Sequence, residues 1–217
     1  MSATDNWAAD WACDKLISHD QILKVEHVED HLVQMNVKDY AQDVLVAIMS
    51  ERKVTLANIP NVCRSSRIDF LLNIPKNAYF DGDLLSFAEN TPFGVGGLGD
   101  LYTAVNEKEF LCYLPKEVRF ILRGLRQHTA VSSVSRDNNR LYIIGRFGKN
   151  PFRVLALNEY DLTADAIRSG IDLYGHCDFV LASNPNCRLS SAAQEAARSA
   201  GTGVLKWRQL LGVINSA

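Results

Sequence analysis

The sequence lacks any apolar run long enough to cross a membrane. Its 217 residues are 47% apolar and 22% charged, which is the balance of an ordinary globular chain, and no stretch approaches the ~18 apolar residues that a span requires. The first residues, MSATDNWAADWACDKL, carry acidic groups where a secretory signal needs a basic and then an apolar segment. We therefore predict a cytoplasmic protein that is not associated with a membrane.

The cysteines lack the spacing of a disulfide framework or of a thiolate zinc site. There are five of them, which is an odd number, and no two form a C-x-x-C pair. The interpretation is buried or unreactive thiols in a reducing compartment. It applies to Cys13, Cys63, Cys112, Cys177 and Cys187.

The histidine spacing does not favour a metal site either. His27 and His31 lie four residues apart in HVEDH, and on a helix they would share a face and could hold one ion. The surrounding segment, QILKVEHVE, alternates apolar and polar residues, which predicts a strand with the two imidazoles about 13 Å apart. We therefore predict a solvated surface at this position.

What the sequence does have is one strongly basic segment. The net charge is only −2, but residues 116–153 contain nine basic and two acidic residues, giving +7, whereas residues 1–50 contain three basic and nine acidic residues, giving −6. Seven of the nine bases are arginine, which suits bidentate contact with phosphate. The candidate phosphate-binding residues are Arg119, Arg123, Arg126, His128, Arg136, Arg140, Arg146 and Arg153.

Three explanations of the basic segment stay open. The arginines bind a nucleic-acid backbone, DNA or RNA, in a salt-dependent manner. Alternatively they pair with acidic groups, either those of residues 1–50 within the chain or across a homo-oligomer, or those of an acidic protein partner. The third explanation is a nucleotide or another small anion. Arg119, Arg123 and Arg126 have helical spacing and are expected on one helix face.

The segment patterns of the second half predict an α/β fold. Three strand-length segments, TAVSSVSRD, RLYIIGRF and FRVLALNEY, are separated by turn signals at 138–139 and 148–151. Together they predict a three-stranded meander. A helix precedes the meander, in KEVRFILRGLRQH.

After the meander, helices and strands alternate. A helix begins at the capping residue Thr163 and ends at Gly175, a second is capped by Ser190 or Ser191, and strands are expected in DFVLAS and GVLKW, with a last helix at the end. The predicted order is α-βββ-α-β-α-β-α in a mixed sheet, because alternating strands and helices pair in parallel. We place this core at 100–217, packed on an N-terminal α/β region at 1–99; the alternative is a single compact domain.

This order and the final segment, DFVLASNPNCRLSSAAQEAARSAGTGVLKWRQLL, resemble the restriction endonuclease-like fold and the tail of Mrr-type nuclease domains. The resemblance covers residues 100–215 and is one of element order. It implies a nucleic-acid-associated protein from a restriction or defence setting.

The resemblance also implies a place for metal-dependent chemistry. The family uses an acid at the second strand and E-x-K on the third, with the two acids holding Mg²⁺. Asp137 precedes the second strand, Glu159 lies at the end of the third, and Lys149 lies in the turn before it; these are the candidate catalytic residues. At the position of E-x-K the third strand reads Val-Leu-Ala, so binding without cleavage is the alternative.

A glycine-rich stretch, FGVGGLGD, raises a second class of function. Gly94, Gly96 and Gly99 have the spacing G-x-G-x-x-G of a dinucleotide loop. That fingerprint needs a strand directly before the first glycine, and LLSFAENTP is expected to be helix and turn. An aspartate at the start of the following helix, Asp100, would compete with phosphate for the positive end of the dipole. We favour a hinge that lets the helix pack closely, and keep a nucleotide-using enzyme as an alternative.

The sequence thus predicts a nucleic-acid-associated protein with an endonuclease-like core. The alternatives are a regulatory protein whose basic face meets an acidic partner, and an enzyme that uses the glycine loop. No cofactor is evident other than Mg²⁺ for a nuclease.

Overall fold

A computed structural model describes residues 3–65 and 67–216 of the chain. The chain forms two compact units, Met1–Pro115 and Lys116–Ala217, and it is an α/β protein, as predicted. The predicted boundary at 99/100 lies inside a helix of the first unit, Leu98–Glu107. Among the described residues no helix is both long enough and apolar enough to cross a membrane.

The first unit is built on a five-stranded mixed sheet with the strand order β1-β2-β3-β5-β7. The pairs β1-β2 and β2-β3 are antiparallel, whereas the pairs β3-β5 and β5-β7 are parallel. A small parallel pair, β4-β6, lies beside it. The elements are α1 (Ala3–Leu16), β1 (Ile22–Glu29), β2 (Leu32–Val37), β3 (Val44–Met49), β4 (Lys53–Val54), α2 (Val62–Ser65), β5 (Phe70–Asn73), β6 (Tyr79–Phe80), α3 (Gly82–Asn90), β7 (Gly94–Gly96) and α4 (Leu98–Glu107).

Helices cover both faces of this sheet because each face is apolar. Strand residues such as Val46 and Ile48 form one core with α1 and α4, while Ala47 and Leu71 face a second core with α2 and α3. The alternation of successive side chains along β3 produces the two cores. Strand β3 is therefore buried on both sides, as its unbroken apolar sequence predicts.

The second unit confirms the predicted order α-βββ-α-β-α-β-α. Its sheet has the order β14-β12-β10-β9-β8, with an antiparallel meander followed by two parallel pairings, and a small parallel pair, β11-β13. The elements are α5 (Lys116–Arg126), β8 (Val131–Arg136), β9 (Leu141–Arg146), β10 (Lys149–Leu157), β11 (Asp161–Leu162), α6 (Ala164–Tyr174), β12 (Phe179–Ala182), β13 (Arg188–Leu189), α7 (Ser191–Ser199), β14 (Gly203–Lys206) and α8 (Trp207–Asn215).

Local sequence explains where these helices begin. The Thr163 hydroxyl accepts from the backbone N–H of Ala166 at the start of α6, and the Ser190 hydroxyl accepts from Ala193 at the start of α7. Both are N-caps of the predicted kind. Helices α6 and α7 pack together on one face of the sheet, against Leu141, Leu155 and other core residues.

The two units repeat one another element by element. Helix α3 covers 82–90 and α7 covers 191–199, so both ends are displaced by 109 residues, and the same displacement relates the starts of α4 at 98 and α8 at 207. Both units also carry the small parallel pair at the same place in the order. Identical residues at this displacement include Phe70, Leu72, Asn77, Ala88, Gly94, Val95 and Leu101 of the first unit, each matched in the second. The sequence patterns considered above do not predict this repeat.

Candidate nucleic-acid interface

Helix α5 presents the arginines that the sequence analysis placed on one face. Its apolar residues, Val118, Ile121, Leu122 and Leu125, are buried, and Arg119, Arg123 and Arg126 lie on its exposed side. We call these three residues the arginine face. The separation of the two faces follows from the spacing, since positions i, i+4 and i+7 share one side of a helix.

Two residues of the arginine face have no counter-charge in the folded unit. In the part of the chain that the structure describes, neither the Arg123 nor the Arg126 guanidinium makes a hydrogen bond or an ion pair. Both therefore keep their five donors for an external acceptor. Two adjacent cations on one helix repel each other, so an anion bound between them is favoured.

Three other predicted phosphate contacts are used inside the unit instead. Arg140 pairs with Glu117 at 2.8 Å and Arg153 pairs with Asp137 at 3.0 Å. Arg146 is buried, donates to the backbone oxygens of Asn150 and Ser216, and lies over the Phe152 ring. These guanidinium groups make contacts within the second unit and are not part of the arginine face.

The two remaining candidates lie beyond helix α5. The His128 ring is half-buried, and its Nδ1 accepts from the backbone N–H of Ala130, which positions the turn into β8. Arg136 is half-buried at the end of β8. Neither belongs to the arginine face.

Glu117 is the centre of a polar cluster at the carboxyl ends of the parallel strands. Its carboxylate accepts from Arg140, from Asn158 at 3.1 Å and from the Ser183 hydroxyl. Asn158 directly follows β10 and Ser183 directly follows β12, so the cluster joins the first turn of α5 to both strands. Burial alone would lower the pKa of Arg140, but the Glu117 charge and hydrogen bond raise it overall. We call these four residues the Glu117 cluster.

The three candidate catalytic residues have different surroundings. Asp137 follows β8 and is paired with Arg153. The Lys149 ammonium donates to the backbone oxygen of Asn215, and Glu159 is exposed beyond the end of β10. Within the described residues no hydrogen bond or ion pair joins any two of the three.

The described residues also contain no group of three or more His, Cys, Asp and Glu side chains that could hold a metal ion. His27 and His31 are not on one strand face, because His31 lies in the tight turn between β1 and β2 with φ 65°. His31 borders an open cleft of about 510 Å³ in the first unit, together with Glu29, Asp30 and residues 59–62.

The glycine stretch is a strand and a helix start. Gly94 and Gly96 belong to β7 itself, and the backbone N–H of Gly97, at the N-cap of α4, donates to the Asp100 carboxylate at 3.0 Å. A Cβ at Gly94 would lie 2.5 Å from the Phe70 ring. Gly94 is therefore needed for close packing, and a carboxylate already occupies the position at the helix N-terminus where a phosphate would bind.

Four of the five thiols are at least partly buried, and the fifth is exposed. Cys63, Cys177 and Cys187 are buried and Cys13 is half-buried, whereas Cys112 is exposed. Burial raises the pKa of the Cys63 thiol to about 12 and also raises that of Cys177. The thiols of Cys63 and Cys177 are thus protonated at neutral pH and poor nucleophiles.

Two residues beside the arginine face were missed by the sequence analysis. Phe120 is 56% exposed on α5, and its ring lies 5.0 Å from that of Trp207 at the start of α8. The helical spacing of Phe120 to Arg123 was a signal for the first residue. Nothing in the sequence pairs it with Trp207, which lies much later in the chain.

Comparison of the chain with family models, with curated proteins and with solved structures finds no match in any of the three.

Proposed function

We propose that this protein binds the phosphate backbone of nucleic acid through the arginine face of α5, without cleaving it. The observation that carries the proposal is the exposure of Arg119, Arg123 and Arg126 on one helix side, with no intramolecular partner for the last two among the described residues. Arginine held in this way suits bidentate contact with phosphate oxygens.

The element order supports an endonuclease-like second unit. The order of its helices and strands is that of the fold which the sequence resembles. Binding rather than cleavage is favoured because the third strand has Val154, Leu155 and Ala156 in place of E-x-K. Asp137 and Lys149, which were the nearest substitutes, each have a structural contact elsewhere.

The expected affinity follows from the number of contacts. Two phosphate contacts, from Arg123 and Arg126, give a slope of log K against log salt of about −1.8 for duplex DNA, or about a 12-fold loss between 50 and 200 mM salt. Binding of this kind depends little on sequence, since the contacts are to the backbone. We therefore expect duplexes of unrelated sequence to bind with similar affinity.

The test is fluorescence anisotropy with labelled DNA and RNA across a salt series. Reversing two charges with Arg123→Glu and Arg126→Glu is expected to weaken binding by at least about tenfold at 50 mM salt. The matched control is Arg168→Glu with Arg198→Glu, because both arginines are exposed on helices α6 and α7 and the change in net charge is the same. The control variant should bind within about twofold of the wild type.

Three outcomes would contradict the proposal. The first is equal loss in both double variants, which would show that net charge and not the arginine face determines binding. The second is that no nucleic acid binds at low salt, which would favour an acidic protein partner for the arginine face. Cleavage of the bound strand in Mg²⁺ or Mn²⁺ would overturn the statement that the protein does not cut.

A further inference from the structure

An exposed aromatic residue lies directly beside the arginine face. Phe120 is 56% exposed, and on helix α5 it is three residues from Arg123 and four from Gly124. Residues at these spacings are neighbours on a helix surface. The ring and the Arg123 guanidinium are therefore presented to solvent on the same side of the second unit.

A second ring supports the first from another helix. The Trp207 ring centroid lies 5.0 Å from that of Phe120, with the planes inclined at 52°. Gly124 makes this approach feasible, since a Cβ there would lie 2.4 Å from Cζ2 of Trp207. We call Phe120 and Trp207 the aromatic shelf.

The aromatic shelf is special to the second unit. At the 109-residue displacement, the positions of Gly124 and Trp207 are occupied in the first unit by Lys15 and Leu98. Trp11, at the position of Phe120, is half-buried and packs against the apolar core. The equivalent helix of the first unit thus has no glycine to admit a second ring.

The charge beside the aromatic shelf also differs between the units. Asp10 and Asp14 of α1 occupy the positions equivalent to Arg119 and Arg123. Among the described residues of the two equivalent helices, only α5 therefore combines exposed arginines with an exposed ring, because α1 has no arginine beside its exposed Trp7. Proteins that bind single-stranded nucleic acids use this combination, because cations contact the phosphate backbone and aromatic rings stack on the free faces of unpaired bases.

We propose that the arginine face and the aromatic shelf together bind single-stranded nucleic acid, with phosphates on Arg123 and Arg126 and one base stacked on Phe120. The inference rests on the proposed function and narrows its substrate class. A duplex keeps its bases stacked inside the helix, so it can use the arginines but not the ring. Single strands should therefore bind more tightly than duplexes of the same length and at the same salt concentration.

The test compares a labelled oligo(dT) of 20 nucleotides with a 20-base-pair duplex, using the full chain. Phe120→Ala is expected to weaken binding of oligo(dT) by about fivefold or more and that of the duplex by less than about twofold. Phe120→Leu keeps an apolar side chain against Trp207 and should show the same loss, whereas Phe120→Trp should retain affinity. Tyr160→Ala is the matched control, as Tyr160 is 69% exposed but lies outside helix α5, and it should leave both affinities unchanged.

The two proposals fail in different ways. In one result, Phe120→Leu binds oligo(dT) as tightly as the wild type while the double Arg123→Glu, Arg126→Glu variant loses all binding. This result would overturn base stacking on the aromatic shelf but would still support binding of the phosphate backbone by the arginine face. No binding of either probe would overturn both. A third result is a salt-sensitive dimer that is lost in the Arg123→Glu, Arg126→Glu variant. It would show that the arginine face binds a second copy of this chain, whose Asp10 and Asp14 carry the opposite charge.

Discussion

At the scale of single residues, the arginines of the basic segment have two different roles. Arg123 and Arg126 are exposed without an intramolecular partner among the described residues, whereas Arg140, Arg146 and Arg153 make contacts inside the unit. The sequence shows all five as the same residue type in one basic segment. Only the fold separates them, because their partners come from distant positions such as Ser216 and His176.

Glu117 provides the first prediction at this scale. Replacing it with alanine removes the acceptor of Arg140, Asn158 and Ser183 at once. An ion pair that is mostly shielded from water is costly to break, so Glu117→Ala should lower the free energy of unfolding by about 2 kcal/mol. Urea denaturation measures this change.

The control for Glu117 is Glu195→Ala. Glu195 pairs with Arg198 on the exposed surface of α7, and surface pairs of this kind contribute at most about 0.5 kcal/mol. Equal effects of the two substitutions would contradict a stabilising role for the Glu117 cluster.

The cysteines provide the second prediction. Only thiolates react readily, so Cys63, with its pKa raised to about 12, should resist alkylation at pH 8 until the protein unfolds. Cys112 is exposed and should react first in the native protein. Labelling followed by peptide mass spectrometry distinguishes the sites, and Cys112→Ser should remove the fastest phase. Rapid native labelling of Cys63 would show that its surroundings are open to solvent.

At the scale of helices and strands, local sequence predicts much of the second unit. The caps at Thr163 and Ser190 and the apolar spacing of α5 give the correct elements, because each signal lies within a few residues of the feature it determines. The helix expected to start at Asp100 begins at Leu98 and ends at Glu107, where Lys108 adopts a left-handed conformation with φ 57°. A non-glycine residue in that conformation gives no sequence signal.

The first unit was harder to predict because its signals are weaker. Strand β7 is only three residues long and contains two glycines, so its sequence predicts a hinge before a helix and not a strand. The segment equivalent to α6 has Pro60 inside it and forms only the short helix α2. Proline removes a backbone donor and interrupts a helix there.

The packing of α5 against α8 gives a prediction about two glycines. Gly124→Ala places a Cβ 2.4 Å from the Trp207 ring, so it should lower the free energy of unfolding by about 1–2 kcal/mol despite the better helix propensity of alanine. Gly212 lies in α8 with nothing within 4 Å of an added Cβ. Gly212→Ala should therefore raise the free energy of unfolding by about 0.5–1 kcal/mol. Thermal denaturation compares the two, and the same sign for both would contradict the described contact.

At the scale of the whole molecule, the chain contains one arrangement of helices and strands twice. Both units have the order α-βββ-α-β-α-β-α and the same small parallel pair. The repeat is hard to recognise in the sequence, because few positions are identical between the two units and apolar residues can replace one another at core positions. The exposed side of the first helix differs between the units, since it is acidic in α1 and basic in α5. We therefore place the proposed nucleic-acid binding on the second unit.

Binding of phosphates by Arg123 and Arg126 is tested most directly by the salt dependence of nucleic-acid affinity in the wild type and in Arg123→Gln. The wild type should show a slope of log K against log salt of about −1.8 on duplex DNA, and loss of one contact should make it shallower by about 0.9. The control Arg198→Gln should leave the slope unchanged. Identical slopes for the wild type and Arg123→Gln would contradict the account, because they would show that this guanidinium contacts no phosphate.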